Sequence, residues 1–171
     1  MAMENEKMPV IVVGVDESAH SDRALQWTLQ RFFSDTSNTT NKPQQRWKLV
    51  VVHVRPYATS IINVAGAGSA DVLPFVDSGL NETVTRVVNN VRQICIGKGV
   101  SVVIEVIDGD ARFSLCNAVD RHQAEVLVVG SHGYGAFKRA IHGSVSDYCS
   151  HHAHCNVMVV KKPKQPKQRK N

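Results

Sequence analysis

VLVVGSHGYGAFKRAIHGSVS, residues 126–146, is the stretch that decides how the rest of the chain is read. Val126 to Val129 is a short apolar run with the β-branched content of a buried strand, and it stops at Gly130. Glycines at 130, 133 and 135 follow, then Lys138 and Arg139, then Gly143-Ser144-Val145-Ser146 opening a predicted helix. Glycine brings backbone N–H groups close to a bound anion because no Cβ intervenes. A helix start adds unpaired donors and the positive end of the dipole. Strand, glycine loop and helix start together read as a phosphate cradle.

Outward from this stretch, the same alternation repeats. Val10 to Val15 is a continuous apolar run, ended by Asp16-Glu17-Ser18. Ser18 is a predicted N-cap for a helix to about Phe33, with Leu25, Thr28, Leu29 and Phe32 on its buried stripe. Residues 34–46 form a polar loop, expected to be mobile, before a second strand from Trp47 to Val54. Residues 55–78, with Pro56, Gly66, Gly68 and Pro74, show no sustained period and predict an irregular flap or loop. A helix is predicted over Leu80 to Gly99, stopped by Gly97 or Gly99. Ser101 to Ile107 reads as a third strand, and Asp108-Gly109-Asp110 turns into a helix to about Arg121. That helix offers Phe113, Leu115, Cys116 and Val119 to the core. Glu125 to Val129 is the fourth strand, Gly143 to about His151 a helix, and Val157 to Val160 the fifth strand.

Strands alternating with helices predict one α/β domain, a parallel sheet covered on both faces. Ligands in such folds sit at the C-terminal ends of the strands, near a switch in strand order. Asp16, Val54 and Gly130 all lie at strand ends, so one pocket is expected to gather them.

Composition narrows the function classes. Of 20 Lys and Arg residues, six fall in 161–171, leaving 14 against 15 acidic residues elsewhere. The basicity is therefore a tail, read as disordered and solvating, and nucleic acid is not the expected partner. No apolar run is long enough for a membrane span. The opening residues 1–8 lack an apolar signal core and are read as flexible, which points to a cytoplasmic protein with reduced thiols. Cys149, His151, His152, His154 and Cys155 contain no Cys-x2-Cys or His-x3-His pair, and neighbours two apart on a helix diverge, so no metal site is expected. The folded domain is expected over 9–162, followed by the tail at 163–171.

Neither a Walker loop nor a Gly-x-Gly-x-x-Gly fingerprint after the first strand is present. The pattern that is present, Gly130-x2-Gly133-x9-Gly143-Ser144, resembles the nucleotide-binding branch of the universal stress protein family. Gly14-Val15-Asp16-Glu17-Ser18, His53-Val54 and Val157 to Val160 agree with that resemblance over about residues 9–162. Gly-Val-Asp-Glu-Ser and Ser-Val-Ser-Asp-Tyr-Cys look particularly like plant members. Asn156 departs from the proline common before the last strand, a change of backbone stiffness and not of the site.

The resemblance implies a Rossmann-like sheet of order 3-2-1-4-5, akin to the adenine nucleotide alpha hydrolases, and a site for ATP or AMP with Mg2+. Carried over, Val15 and Val54 meet adenine, Asp16 the ribose or metal-phosphate region, and Val129 and Gly130 the ribose. Ser131 and His132 fall in the same binding loop, with His132 expected to shape it, and Gly133 contacts phosphate through its N–H. Gly143, Ser144, Val145 and Ser146 hold phosphate through helix-start amides and hydroxyls. No catalytic residue is expected, because no nucleophile with an orienting acid stands at readable spacing. The expected role is a sensor or switch, with slow hydrolysis at most. A slow ATPase or nucleotidyl-transfer enzyme, or a chaperone or RNA-binding module acting through the tail, is the alternative. Val157 to Val160 as an apolar edge predicts a homodimer, which the resemblance supports.

Overall fold

A computed structural model describes residues 7–34, 45–65, 70–132 and 144–162. The central strand β1 (Val10–Val15) is buried along its whole length. It pairs in parallel with β2 (Lys48–Arg55) on one side and with β4 (Val126–Gly130) on the other. Outside these lie β3 (Val102–Asp108) against β2 and β5 (Asn156–Val160) against β4. The sheet order is β3-β2-β1-β4-β5, every pair parallel, so the switch in order falls between β1 and β4.

Alternation along β1 divides the core. Ile11, Val13 and Val15 pack on one face with α1 (Ala19–Phe32) and α3 (Leu73–Gly97). Val10 and Val12 pack on the other with α4 (Ala111–His122) and α5 (Ser144–His152). A strand buried on both faces must be apolar at every position, which is why β1, β2 and β4 read as unbroken runs. Each fully buried side chain, such as Ile11 or Leu127, contributes roughly 1.5–3 kcal/mol of transfer free energy.

The predicted N-cap of α1 and the glycine stop of α3 are present, and α4 has a side-chain cap that was not predicted. Ser18 has extended backbone and its hydroxyl accepts the Ser21 N–H at 3.2 Å. Asp110 caps α4 by accepting the Arg112 N–H at 2.8 Å. Gly99, at φ +65°, ends α3, with the Val100 N–H reaching back to the Cys95 carbonyl at 3.0 Å.

Residues 55–78 differ from the expectation of an irregular segment. Ala58–Ala65 forms α2, Ala70–Val72 a short 3-10 turn, and α3 begins at Leu73, seven residues before its predicted start. Pro74 stands in the first turn of α3, where no intrahelical N–H bond is required, so it starts the helix instead of breaking it. Gly79 lies inside α3 with open space around it. Phe113 is also not a core residue. It is 52% exposed, because the buried face of α4 is set by Ser114, Leu115, Ala118 and Val119.

The readings of residues 1–6 as part of a flexible terminus, of most of the 34–46 loop and of the basic tail at 163–171 lie outside the described residues. No helix among the described residues is long and apolar enough to cross a membrane.

Candidate functional site

The C-terminal ends of β1, β2 and β4 open into a cavity of about 390 Å³ on the face of the sheet covered by α4 and α5. One wall is apolar: Val52 and Val54 of β2, Leu115 of α4 and Val129 of β4. The lining also carries polar residues, Asp16, Ser21, His132, Ser144 and Ser146. Gly14 allows this wall to form. A Cβ there would stand 3.0 Å from one Leu115 methyl carbon and 3.4 Å from Val129 Cγ1, pushing lining side chains aside.

The loop after β1 is held by short-range hydrogen bonds. Asp16 Oδ1 accepts the Ser18 N–H at 2.9 Å, and the Asp16 N–H donates to the Ser21 hydroxyl at 3.1 Å. The Ser21 hydroxyl lies 2.9 Å from the Asp16 carbonyl and donates back to that region. The loop is tied outward by Glu17, paired with Arg86 of α3 at 2.8 Å. His53 is buried, and its Nδ1 is 3.0 Å from the Val15 carbonyl, so its Nδ1 donates and anchors the end of β1. Burial pushes the Asp22 carboxyl above its ordinary range; the Asn90 hydrogen bond opposes this and the Asp16 charge adds to it.

At the other end, Gly130 passes directly beneath the start of α1, and the Ser18 hydroxyl reaches the His132 carbonyl at 3.5 Å. Ser131 is buried, donates its N–H to the Val160 carbonyl at 3.1 Å, and turns its hydroxyl to His132 Nδ1 at 3.1 Å. The first residues of α5, Ser144 to Ser146, bring a helix start to the cavity.

Two arginines stand next to lining residues in sequence, and both are engaged by acids. Arg55 pairs with Asp108 at 2.6 Å and with Asp77 at 3.3 Å. Arg112 pairs with Asp110 at 2.6 Å, and its hydrogen bond holds the Asp110 carboxyl below the usual range despite an opposing contribution from burial. Among the described residues, the groups offered to an anion here are therefore helix-start donors and hydroxyls, with the charges of Arg55 and Arg112 already compensated.

Of the residues read from sequence, Val15, Asp16, Val54, Val129, Gly130, His132, Ser144, Val145 and Ser146 line this one cavity. Ser131 stands behind the lining, facing imidazoles. Gly133 and Gly143, with Lys138, Arg139 and the rest of 134–142, lie outside the described residues. Gly14, Ser21, Val52, Pro56, Gly109, Ala111 and Leu115 also line the cavity, and the sequence does not mark them as site residues. Gly109 was findable, since it follows β3 as Asp16 follows β1; Ser21 carries no sequence signal beyond its place in a first helical turn.

The histidine- and cysteine-rich end of α5 does not converge. Cys149 is buried, His151 and His152 each bond a carbonyl one turn back at 2.8 and 2.9 Å, and His154 meets Asp120 at 3.1 Å. Among the described residues no group of three or more His, Cys, Asp or Glu is arranged to hold a metal.

Comparison with known proteins agrees with this architecture. The sequence profile of the universal stress protein family matches residues 8–161. The chain is 29% identical over 149 residues to the universal stress protein A-like protein of Arabidopsis thaliana, covering 82% of this chain and 77% of that one. Its fold is similar to universal stress protein UspA from Lactobacillus plantarum, with TM-score 0.70 and 18% identity over 91% of this chain and 99% of that one. It is also similar to a universal stress protein family protein from Arabidopsis thaliana with AMP bound, with TM-score 0.63 and 23% identity over 94% and 97% of the two chains. The chain belongs to the universal stress protein family.

Proposed function

We propose that the protein binds an adenine nucleotide, ATP or AMP, in the cavity at the ends of β1, β2 and β4, and works as a stress-response sensor or switch. The observation that carries this reading is the cavity's mixed lining: apolar side chains of Val52, Val54, Leu115 and Val129 share one cavity with serine hydroxyls and a helix start. A purine needs a flat apolar slot with few polar contacts, and a phosphate needs donors at close approach. The volume lies within the range of about 300–1,000 Å³ common to small-molecule sites. Val15 and Val54 would flank adenine, Asp16 would accept from the ribose, and Ser144, Val145 and Ser146 would donate to phosphate. The similar Arabidopsis protein with AMP bound supports the choice of ligand class.

A bound nucleotide would supply the signal, and hydrolysis is at most slow in this reading. Of the titratable groups lining the cavity, Asp16 Oδ1 accepts the Ser18 amide and His132 Nδ1 faces the hydroxyl of Ser131, which stands behind the lining, so these contacts hold the loops in shape. Mg2+ would accompany a triphosphate without a dedicated protein cage. A second copy of the chain pairing along β5 would cover an apolar edge strand.

Titration calorimetry of ligand-stripped protein with AMP, ADP and ATP, each with and without Mg2+, tests the reading. Saturable binding of at least one is expected, and no heat with any of them sinks it. Mass spectrometry of ligand released from fresh protein gives the phosphate count. Phosphate release far above background would replace the switch with an ATPase.

A further inference from the structure

Ser131 sits between two imidazoles. Its Oγ is 3.1 Å from His132 Nδ1 and 3.5 Å from His20 Nδ1, and the two rings are tilted with centroids 5.1 Å apart. A serine hydroxyl has one proton to donate and lone pairs to accept with. Serving both nitrogens, it either donates to one Nδ1 and accepts an N–H from the other, or accepts an N–H from both. Two neutral rings joined in the first way have opposite tautomers, and joined in the second both carry their proton on Nδ1.

The direction of the relay decides what His132 shows the cavity, because His132 lines it and His20 does not. If His20 Nδ1–H donates to Ser131 and Ser131 donates to His132 Nδ1, the His132 proton is on Nε2. The reverse direction, like acceptance from both rings, puts the His132 proton on Nδ1 and leaves none on Nε2. A phosphate oxygen accepts hydrogen bonds, so only the first direction suits it.

The start of α1 also grips this segment at two further points. The His20 backbone lies over Gly130 at a separation that admits no Cβ, and the Ser18 hydroxyl reaches the His132 carbonyl. His20 is thus fixed relative to the strand end that carries His132.

We propose that His20 is a positioning residue of the nucleotide site: through the Ser131 hydroxyl it sets His132 as an Nε2–H donor for a phosphate oxygen of the ligand. This rests on the nucleotide reading above. The role belongs to His20 acting through its neighbours and not to contact of its own with the ligand.

Long-range proton–nitrogen spectra of the imidazoles, taken without nucleotide at about pH 8 where ordinary histidines are neutral, report each tautomer. The wild type is expected to show His20 as Nδ1–H and His132 as Nε2–H. His20→Phe keeps a ring but removes the donor; it is expected to mix the His132 tautomers. The same change is expected to weaken binding of AMP or ATP about five- to tenfold, the loss of one ordinary hydrogen bond. His20→Asn, whose amide nitrogen stands near the place of Nδ1, is expected to restore both readouts. Ser131→Ala is expected to reproduce the Phe effect, and it decides the matter if His20→Phe does not fold. An Nδ1–H tautomer for His132 in the wild type, or a tautomer unmoved by either variant, overturns the proposal. Calorimetric silence of the wild type overturns the nucleotide reading, while the nucleotide-free spectra still decide whether His20 sets His132.

Discussion

Gly130 runs so close beneath His20 that a Cβ at position 130 would stand 2.8 Å from both the carbonyl carbon and the carbonyl oxygen of His20. Both partners are backbone, one in a strand of the sheet and one in the first turn of α1, so neither yields by a rotamer change. The glycine that ends β4 is therefore a packing requirement before it is a ligand requirement. Gly130→Ala is expected to destabilise the fold by about 1–3 kcal/mol through overpacking, read as a lower urea midpoint at unchanged slope. A midpoint equal to the wild type would show that α1 moves aside freely, and the tight contact would lose its meaning.

The sheet was legible because its inner strands β1, β2 and β4 are buried on both faces, and runs such as Val10–Val15 and Leu49–Val54 have few other uses. The strand order was not in the runs themselves and came with the family resemblance. Residues 55–78 were misread for a local reason: Pro74 and Gly79 look like punctuation, yet a proline in a first turn costs no hydrogen bond, and Gly79 is outvoted by the long helix around it. Phe113 was misread because hydrophobicity was taken for burial; the ring instead lies on the surface edge-to-face with Tyr148 at 5.2 Å. At the site, the rule that ligands meet strand ends found Asp16, Val54 and Gly130. It gave no view of Leu115 or Ala111, which reach the cavity from a helix whose sequence only says that it has a core face.

Glu105, on the edge strand β3, predicts one source of acid sensitivity. Burial alone pushes its carboxyl up, but hydrogen bonds and charge from Arg121 and His122 outweigh this and hold it below its ordinary value of 4.5. A carboxyl depressed in the folded state contributes stability that is present above its unfolded value and is lost as pH falls through the folded one. Stability is therefore expected to decline on acidification from about pH 4.5 downward. Glu105→Gln should flatten that limb of the urea midpoint against pH. An identical limb in the variant would assign the acid sensitivity to other carboxyls.

The cysteines predict a folded protein that resists thiol chemistry. Burial pushes the Cys149 thiol up to about 12 and the Cys95 thiol up to about 11, and it also raises Cys116 and Cys155 above their ordinary value. The thiolate is the reactive form, so a raised thiol in a closed core is doubly protected. A colorimetric disulfide reagent at neutral pH should leave Cys95 and Cys149 unlabelled in the native protein, with any early labelling confined to the half-buried Cys116 and Cys155, and should react with all four thiols once the protein is denatured. Rapid native labelling of Cys95 or Cys149 would show that the core around them opens far more readily than this packing allows.

Val54 offers the most direct way to separate the cavity from the fold. Its side chain forms part of the apolar wall, it is only partly buried, and it packs at the margin of the core on the α4 and α5 face. Val54→Trp puts a large ring where space exists, so the fold should survive with a change in stability of no more than about 1–2 kcal/mol. The same ring takes the place assigned to adenine, and nucleotide affinity should fall by roughly a hundredfold or more, because stacking and apolar burial cannot be recovered elsewhere in the cavity. The measurement is paired: a thermal or urea melt to establish the fold, then calorimetry with the nucleotide that the wild type binds best. Undiminished affinity in a well-folded Val54→Trp protein would move the adenine away from β2 and require the nucleotide to lie elsewhere on the molecule.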